Sequence, residues 1–290
     1  PEEMTLDVDK TKAKVEELKS QGRLPKIAMF GGSVFLFPHP VKELSDFLKS
    51  HDMHINYDAA HVAGLIAGGK FQDPLREGTD TMTMSTHKTL FGPQGGLVLG
   101  FDRHEESIKK AMFPGLTSSH HIHHMAGKAI AFAEALEFGK DYASQTINNA
   151  KALASELNNV GFKVLGEKRG YTESHQTVIN VLDYGDGGTI EADLEKANII
   201  VNRQLIPGDL KANRHYMHPG GIRLGTSEIT RIGMKESEMK EIASMIKDIV
   251  IDKKDPSHMT DKVAEFRKEF QKTQYCFDNK LGAYEYVKLR

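Results

Sequence analysis

Lys88 follows a run of small polar residues, Ser85-Thr86-His87, and precedes Thr89-Leu90-Phe91-Gly92-Pro93-Gln94-Gly95-Gly96. The glycines let backbone approach a ligand closely, and a lysine held in such a place can lose its proton and attack an aldehyde. Taken singly, a lysine is far more often a solvated charge, so its neighbours must decide. Asp58-Ala59-Ala60-His61-Val62-Ala63-Gly64 offers a carboxylate with an imidazole three residues on. Such an acid can stabilise a protonated ring nitrogen in a partly dry site; equally, Asp58 could cap the next turn with His61 packed at its side. Arg223, in Pro219-Gly220-Gly221-Ile222-Arg223-Leu224-Gly225-Thr226, stands in an apolar run between glycines. A buried guanidinium there requires an internal ion pair or a carboxylate ligand bound through two parallel hydrogen bonds.

Other polar clusters carry less. His120 and His124 in His120-His121-Ile122-His123-His124 share a helical face, but no acid or cysteine nearby completes a metal set, and no metal is expected. Asp183-Tyr184-Gly185-Asp186-Gly187-Gly188 lacks EF-hand spacing and reads as a turn.

The elements that would position these residues follow from periodicity. Asp9 to Gln21 reads as an amphipathic surface helix. Lys26 to Phe30 is a short apolar run stopped by Gly31-Gly32, as expected of a buried parallel strand. A helix over Pro40 to Ser50 leads to a strand Ile55 to Asp58, and Thr81 to Ser85 and Gly95 to Gly100 are further strands. This alternation predicts a doubly wound α/β sheet over residues 1 to about 115, with ligands received past the strand ends. Two helices, Ile122 to Phe138 and Asn148 to Leu157, then lead to a smaller α/β unit. Its predicted strands are Phe162 to Leu165, Thr177 to Leu182, Ile199 to Asn202 and Ile222 to Leu224. Its predicted helices are Ile190 to Lys196 and Lys235 to Val250, with one more solvated helix after Asp252.

With 290 residues, 39% hydrophobic and 27% charged, the chain can bury a core for two ordinary domains. A net charge of −2 gives no field for nucleic acid or an acidic membrane, which favours a small-molecule partner. The single cysteine, Cys276, cannot form an intrachain disulfide, and a reducing cytoplasm fits best. No stretch has the apolar length of a membrane span. Position 1 is Pro rather than Met, and the chain is expected to be a fragment.

Asp58 to Gly64, Ser85 to Gly96 and Gly221 to Thr226, in that order, resemble serine hydroxymethyltransferase. Phe113-Pro114-Gly115, Ala126-Gly127-Lys128-Ala129 and Val201-Asn202 agree with the resemblance, and Gly31-Gly32-Ser33 is nearer to its archaeal-like branch. The resemblance implies a fold-type-I pyridoxal phosphate transferase. Residues 1–125 would be the C-terminal part of the large cofactor-binding domain, and residues 126–290 a linking helix and small C-terminal α/β domain. It also implies that roughly the first third of a complete enzyme is absent and that the isolated chain is inactive or nearly so.

By the same resemblance, Lys88 would be the Schiff-base lysine, Asp58 the partner of the pyridinium nitrogen, and His61 a hydrogen-bond donor near the phenolic oxygen and the substrate. Ser33, Ser85 and His87 would line the cofactor pocket, and Arg223 would take the amino acid's α-carboxylate. The implied activity is serine–glycine interconversion with a reduced pterin as one-carbon carrier, in a homodimer with shared active sites. Ser118 and Ser119 stand where the family has two glycines that approach a neighbouring subunit's cofactor phosphate. An aldolase acting on threonine-like β-hydroxy amino acids, an inactive fragment of such an enzyme, and a cofactor-free regulatory protein of the same fold are the alternatives.

Overall fold

The computed structural model describes residues 4–278, 280, 282 and 283. The chain divides into two compact units, Thr5–Lys140 and the chain from Asp141 onward.

The first unit opens with helix α1 (Val8–Ser20), whose N-cap Asp7 accepts a hydrogen bond from the Lys10 N–H and whose inner face buries Val15. Strands β1 (Ile27–Gly31), β2 (His54–Asp58), β3 (Thr81–His87) and β4 (Phe91–Gly100) lie in that order in one sheet. β1, β2 and β3 are parallel, and their register sets Gly31 beside Asp58 and Asp58 beside Thr83. Helix α2 (Val41–Lys49) makes the crossover from β1 to β2 and buries Val41, Leu44 and Leu48, in the same core as Phe35, Ile55 and Tyr57. The short helices α3 (Ala63–Ala67) and α4 (Pro74–Glu77) occupy the crossover from β2 to β3.

The alternation expected of a doubly wound sheet ends at β3. Lys88, Thr89 and Leu90 alone separate β3 from β4, and β4 runs antiparallel to β3 from Thr81↔Gly100 to His87↔Phe91. A connection so short permits a hairpin and no crossover. Helix α5 (Glu105–Lys110) follows. The two helices expected over 122–138 and 148–157 are a single helix, α6 (Ile122–Asn159), of 38 residues.

In the second unit, β5 (Lys163–Val164), β6 (Gln176–Asn180), β7 (Asn202–Gln204) and β8 (Gly221–Gly225) form an antiparallel sheet of order β5-β6-β8-β7. Helices α7 (Gly187–Lys196), α8 (Ser227–Arg231), α9 (Glu236–Val250) and α10 (Thr260–Arg267) complete it. Leu153, Leu157, Ile179, Ile222, Leu194, Met239 and Ile246 share its apolar core. β7 starts where the predicted strand 199–202 ends. Asn198 has φ +62°, and the Ile199 N–H donates to Leu194 O, so this apolar run closes α7 instead of extending. α10 is not wholly solvated, because Val263 is buried.

Candidate active site

Parallel strands deliver their last side chains to a common edge, and here that edge gathers most of the residues singled out by type. Asp58 ends β2, half-buried, with its Oδ1 accepting from the Ala60 N–H at 3.0 Å. The carboxylate therefore does fasten the following turn, while its second oxygen has no part in that bond. Gly31, its register partner at the end of β1, has φ +95°. A Cβ on Gly31 would lie 2.2 Å from Asp58 O, so only glycine allows the two strand ends this approach. Ser33 follows two residues on and is exposed.

Ser85 and His87 belong to β3, and Lys88 is the first residue past it. Lys88 is exposed, and its Nζ lies 3.2 Å from His61 Nε2, within hydrogen-bond distance. The backbone on either side of Lys88 is pinned. Thr86, fully buried, donates through Oγ1 to Pro93 O at 2.7 Å. Thr89, also fully buried, donates through Oγ1 to His61 O at 2.8 Å and accepts from the Gly64 N–H at 3.0 Å. His87 Nδ1 accepts from the Gly95 N–H at 3.3 Å across the hairpin. Thus Thr89 ties the lysine's turn to the histidine that its amine meets. A Cβ on Gly64 would fall 2.1 Å from Thr89 O, so this glycine makes room for the tie.

Arg223 lies in the other unit, in the middle of β8, paired with Val178 of β6 and Asn202 of β7. It is half-buried, and its Nη2 donates to Asn202 Oδ1 at 2.9 Å. Burial pulls the guanidinium's pKa down, with the Tyr216 phenol acting in the opposite sense. The glycine at the start of β8 has a steric cause: a Cβ on Gly221 would meet Ile206 Cγ2 at 2.4 Å. Just beyond, buried Thr226 donates to Thr146 O at 2.8 Å. A pocket of about 610 Å³ in this unit, lined by Asn198, Ile200, Val263, Ala264, Arg267 and Gln271, contains none of the residues chosen by type.

The histidines at 120–124 are mostly exposed and stack on one another, with His123 and His124 ring centroids 4.4 Å apart. Among the described residues no group of three or more His, Cys, Asp or Glu could hold a metal ion. Also among the described residues, no helix is long and apolar enough to cross a membrane.

The family model for serine hydroxymethyltransferase matches residues 2–246. The chain belongs to the serine hydroxymethyltransferase family. It is 78% identical over 289 residues to serine hydroxymethyltransferase of Nitrosopumilus maritimus (strain SCM1), covering 100% of this chain and 66% of that protein. It is 72% identical over 287 residues to the enzyme of that name from Cenarchaeum symbiosum (strain A), covering 99% of this chain and 65% of the relative. The chain thus spans just under two thirds of the length of these serine hydroxymethyltransferases. Among solved structures, L-threonine transaldolase from Pseudomonas fluorescens superposes with a TM-score of 0.85 at 32% identity, over 97% of this chain and 62% of that one. The expected fold-type-I α/β architecture holds.

Within this member of the serine hydroxymethyltransferase family, residue types alone did not single out Thr89, Gly64 or Gln72. The first two lie inside the recognised runs, and their role emerges only when the Thr89 hydroxyl is seen between two backbone groups. Gln72 bonds the His39 backbone 33 residues away and carries no local pattern that would mark it.

Proposed function

We propose that the full-length protein interconverts serine and glycine, with pyridoxal phosphate as cofactor and a reduced pterin as one-carbon carrier. The observation that carries the reading is the meeting of Lys88 Nζ with His61 Nε2 at 3.2 Å, on a turn pinned beside the strand that ends in Asp58. The donor set fits the cofactor: an amine for the aldehyde carbon, a carboxylate for the ring nitrogen and an imidazole for the phenolic side. Ser33, Ser85 and His87 stand at the same strand edge to bind its remaining polar groups. When bound, pyridoxal phosphate supplies the sink for the electron pair released as a bond at the amino acid's α-carbon breaks.

The chain's own residues do the rest. Lys88 fastens the cofactor and, with its backbone held, offers the amine from one position. His61 sits where it can take or return a proton at Lys88 Nζ. Asp58 keeps a proton on the ring nitrogen by pairing with it as a carboxylate. Arg223 grips the substrate's α-carboxylate through two parallel hydrogen bonds and so fixes which bond faces the ring. On this reading residues 1–125 serve the cofactor and residues 126–290 form the small domain. The enzyme works as a homodimer in a reducing cytoplasm, a setting that suits the lone cysteine.

The test is spectroscopic. Full-length protein mixed with pyridoxal phosphate should gain a visible absorbance that borohydride fixes covalently on Lys88, and Lys88→Gln should abolish it. Absence of that absorbance in the unmodified protein defeats the reading. Release of glycine from serine only when a tetrahydropterin is present assigns the carrier, whereas equal release without it defeats the transferase assignment.

A further inference from the structure

The turn leaving β1 has a demanding job. It exits the sheet through Gly31 at φ +95° and Gly32 at φ +146°, with no Cβ on either residue to restrict it, yet it begins directly against Asp58. Two successive glycines have high conformational entropy, so something else must hold the turn.

His39 does so. The chain between Ser33 and His39 folds back, burying Phe35, Leu36 and Phe37, and brings the His39 ring under the strand end. There His39 Nδ1 accepts the Gly31 N–H at 3.2 Å, and the ring packs on Phe35 with centroids 4.5 Å apart. Burial keeps the imidazole neutral by pushing its pKa down to about 4, so at neutral pH Nδ1 retains the lone pair that this bond requires.

The backbone of His39 is held in turn by one side chain. The His39 N–H donates to Gln72 Oε1 at 3.1 Å, and Gln72 Nε2 donates to His39 O at 2.6 Å. Gln72 is 7% exposed, and its Oε1 also accepts from the Tyr57 hydroxyl at 2.8 Å. Tyr57 is fully buried and immediately precedes Asp58. The ends of β1 and β2 are therefore linked twice, by their own register and by the chain Gly31–His39–Gln72–Tyr57.

We propose that His39 is a positioning residue for pyridoxal phosphate, holding the Gly31 backbone so that Ser33 and the Asp58 carboxylate keep the places at which they meet the cofactor ring. This rests on the cofactor reading at Lys88 and Asp58. His39 does not touch the cofactor; it acts through Gly31 and the paired strand end.

Asparagine and phenylalanine at position 39 separate this role from simple packing. In H39N the side-chain oxygen can occupy the place of Nδ1 and accept the Gly31 N–H, whereas H39F keeps a ring against Phe35 and removes the acceptor. The measurements are pyridoxal phosphate affinity by equilibrium dialysis, the visible absorbance of the bound cofactor, and the thermal midpoint of the cofactor-free protein, all on the full-length chain at neutral pH. H39N should bind within about threefold of the unmodified protein and keep its spectrum. H39F should bind about tenfold more weakly or worse, the change expected when one buried hydrogen bond loses its acceptor, with a cofactor-free thermal midpoint a few degrees below that of H39N because the Gly31 N–H is left unpaired there as well.

Equal affinity in H39F and unmodified protein, or equal weakening in H39N and H39F, overturns the proposal while leaving the cofactor reading intact. Absence of any Lys88-dependent absorbance in the unmodified protein overturns both. Should H39F not fold, H39Q, whose amide extends past the Nδ1 position, takes its place with the same outcomes.

Discussion

Thr89 shows how much of the site depends on side chains that do no chemistry. Its hydroxyl gives one hydrogen bond to His61 O and takes one from Gly64, and the residue is fully buried. Thr89→Val keeps the shape and removes both bonds, leaving a buried N–H and a carbonyl without that partner. The expected loss is about 1–3 kcal/mol of stability, read by urea denaturation, together with slower borohydride fixation of cofactor at Lys88. A second prediction concerns acid. The His39 pKa lies below its unfolded value of 6.5, at about 4, so between those limits the unfolded chain binds a proton that the folded one refuses. Stability is therefore complete above about pH 6.5 and falls as pH drops towards 4, by up to about 3 kcal/mol. Denaturant titrations of H39N and unmodified protein across that window should differ in slope, and parallel curves would contradict the assignment. Arg223→Ala should raise the serine KM by an order of magnitude or more while changing cofactor affinity little; equal loss of both would remove it from the carboxylate role.

At the scale of elements, two glycines predict opposite outcomes. Gly64→Ala would set a methyl 2.1 Å from Thr89 O, so a backbone must move, and a loss of about 1–3 kcal/mol or more is expected. Gly139 lies inside α6, where a Cβ would meet Ala135 Cβ at 3.8 Å and Gly68 Cα at 3.9 Å, ordinary contact distances. Gly139→Ala should raise the thermal midpoint, by an amount corresponding to at most about 1 kcal/mol. The same glycine lies between the two helices that periodicity predicts over 122–138 and 148–157. Residues 139–147 interrupt the apolar spacing, and a glycine within such a gap resembles a stop. In the structure Lys140 and Asp141 of that stretch face solvent, while Thr146 and, just beyond it, Asn149 are buried against the second unit's own elements. Asn149 Nδ2 donates to Thr230 Oγ1 and to Met234 O, both at 2.9 Å, and Thr146 O takes the Thr226 hydroxyl. Tertiary partners far along the chain thus override local periodicity. β1 was legible as a short apolar run closed by Gly31, β2 by the acid that ends it and β3 by its alternating Thr and Met, although β1 lies at the sheet edge with Ile27 and Met29 exposed and is not the buried strand its composition suggests. Asp58 and Lys88 were legible because they sit where β2 and β3 stop. The hairpin direction of β4 was not, since side-chain type does not report strand polarity.

At the scale of the whole molecule, the chain spans 66% and 65% of its two compared relatives, and the first unit exposes several large apolar side chains. β1 is an edge strand of its sheet, and on it Ile27 and Met29 are 58% and 63% exposed. Leu116, Ile122, Ile130 and Leu136 are also exposed. An open edge bearing such side chains favours pairing with other chains. The 290-residue chain on its own should therefore self-associate in dynamic light scattering, and Ile27→Lys with Met29→Lys should reduce this; unchanged scattering would place the adhesive surface elsewhere.

The double anchoring of Lys88 also bears on how the folded chain meets a protease that cuts after basic residues. Such an enzyme must draw several residues of backbone into its cleft, so accessibility of the side chain is not enough. Lys88 is exposed, but it stands between two fully buried threonines and two strands of a ladder. Lys211, in the irregular segment between β7 and β8, is exposed without such strands beside it. Under brief tryptic digestion the peptide bond after Lys211 should open early and the one after Lys88 should persist until the first unit unfolds, which makes the survival time of that bond a clock for the integrity of the site.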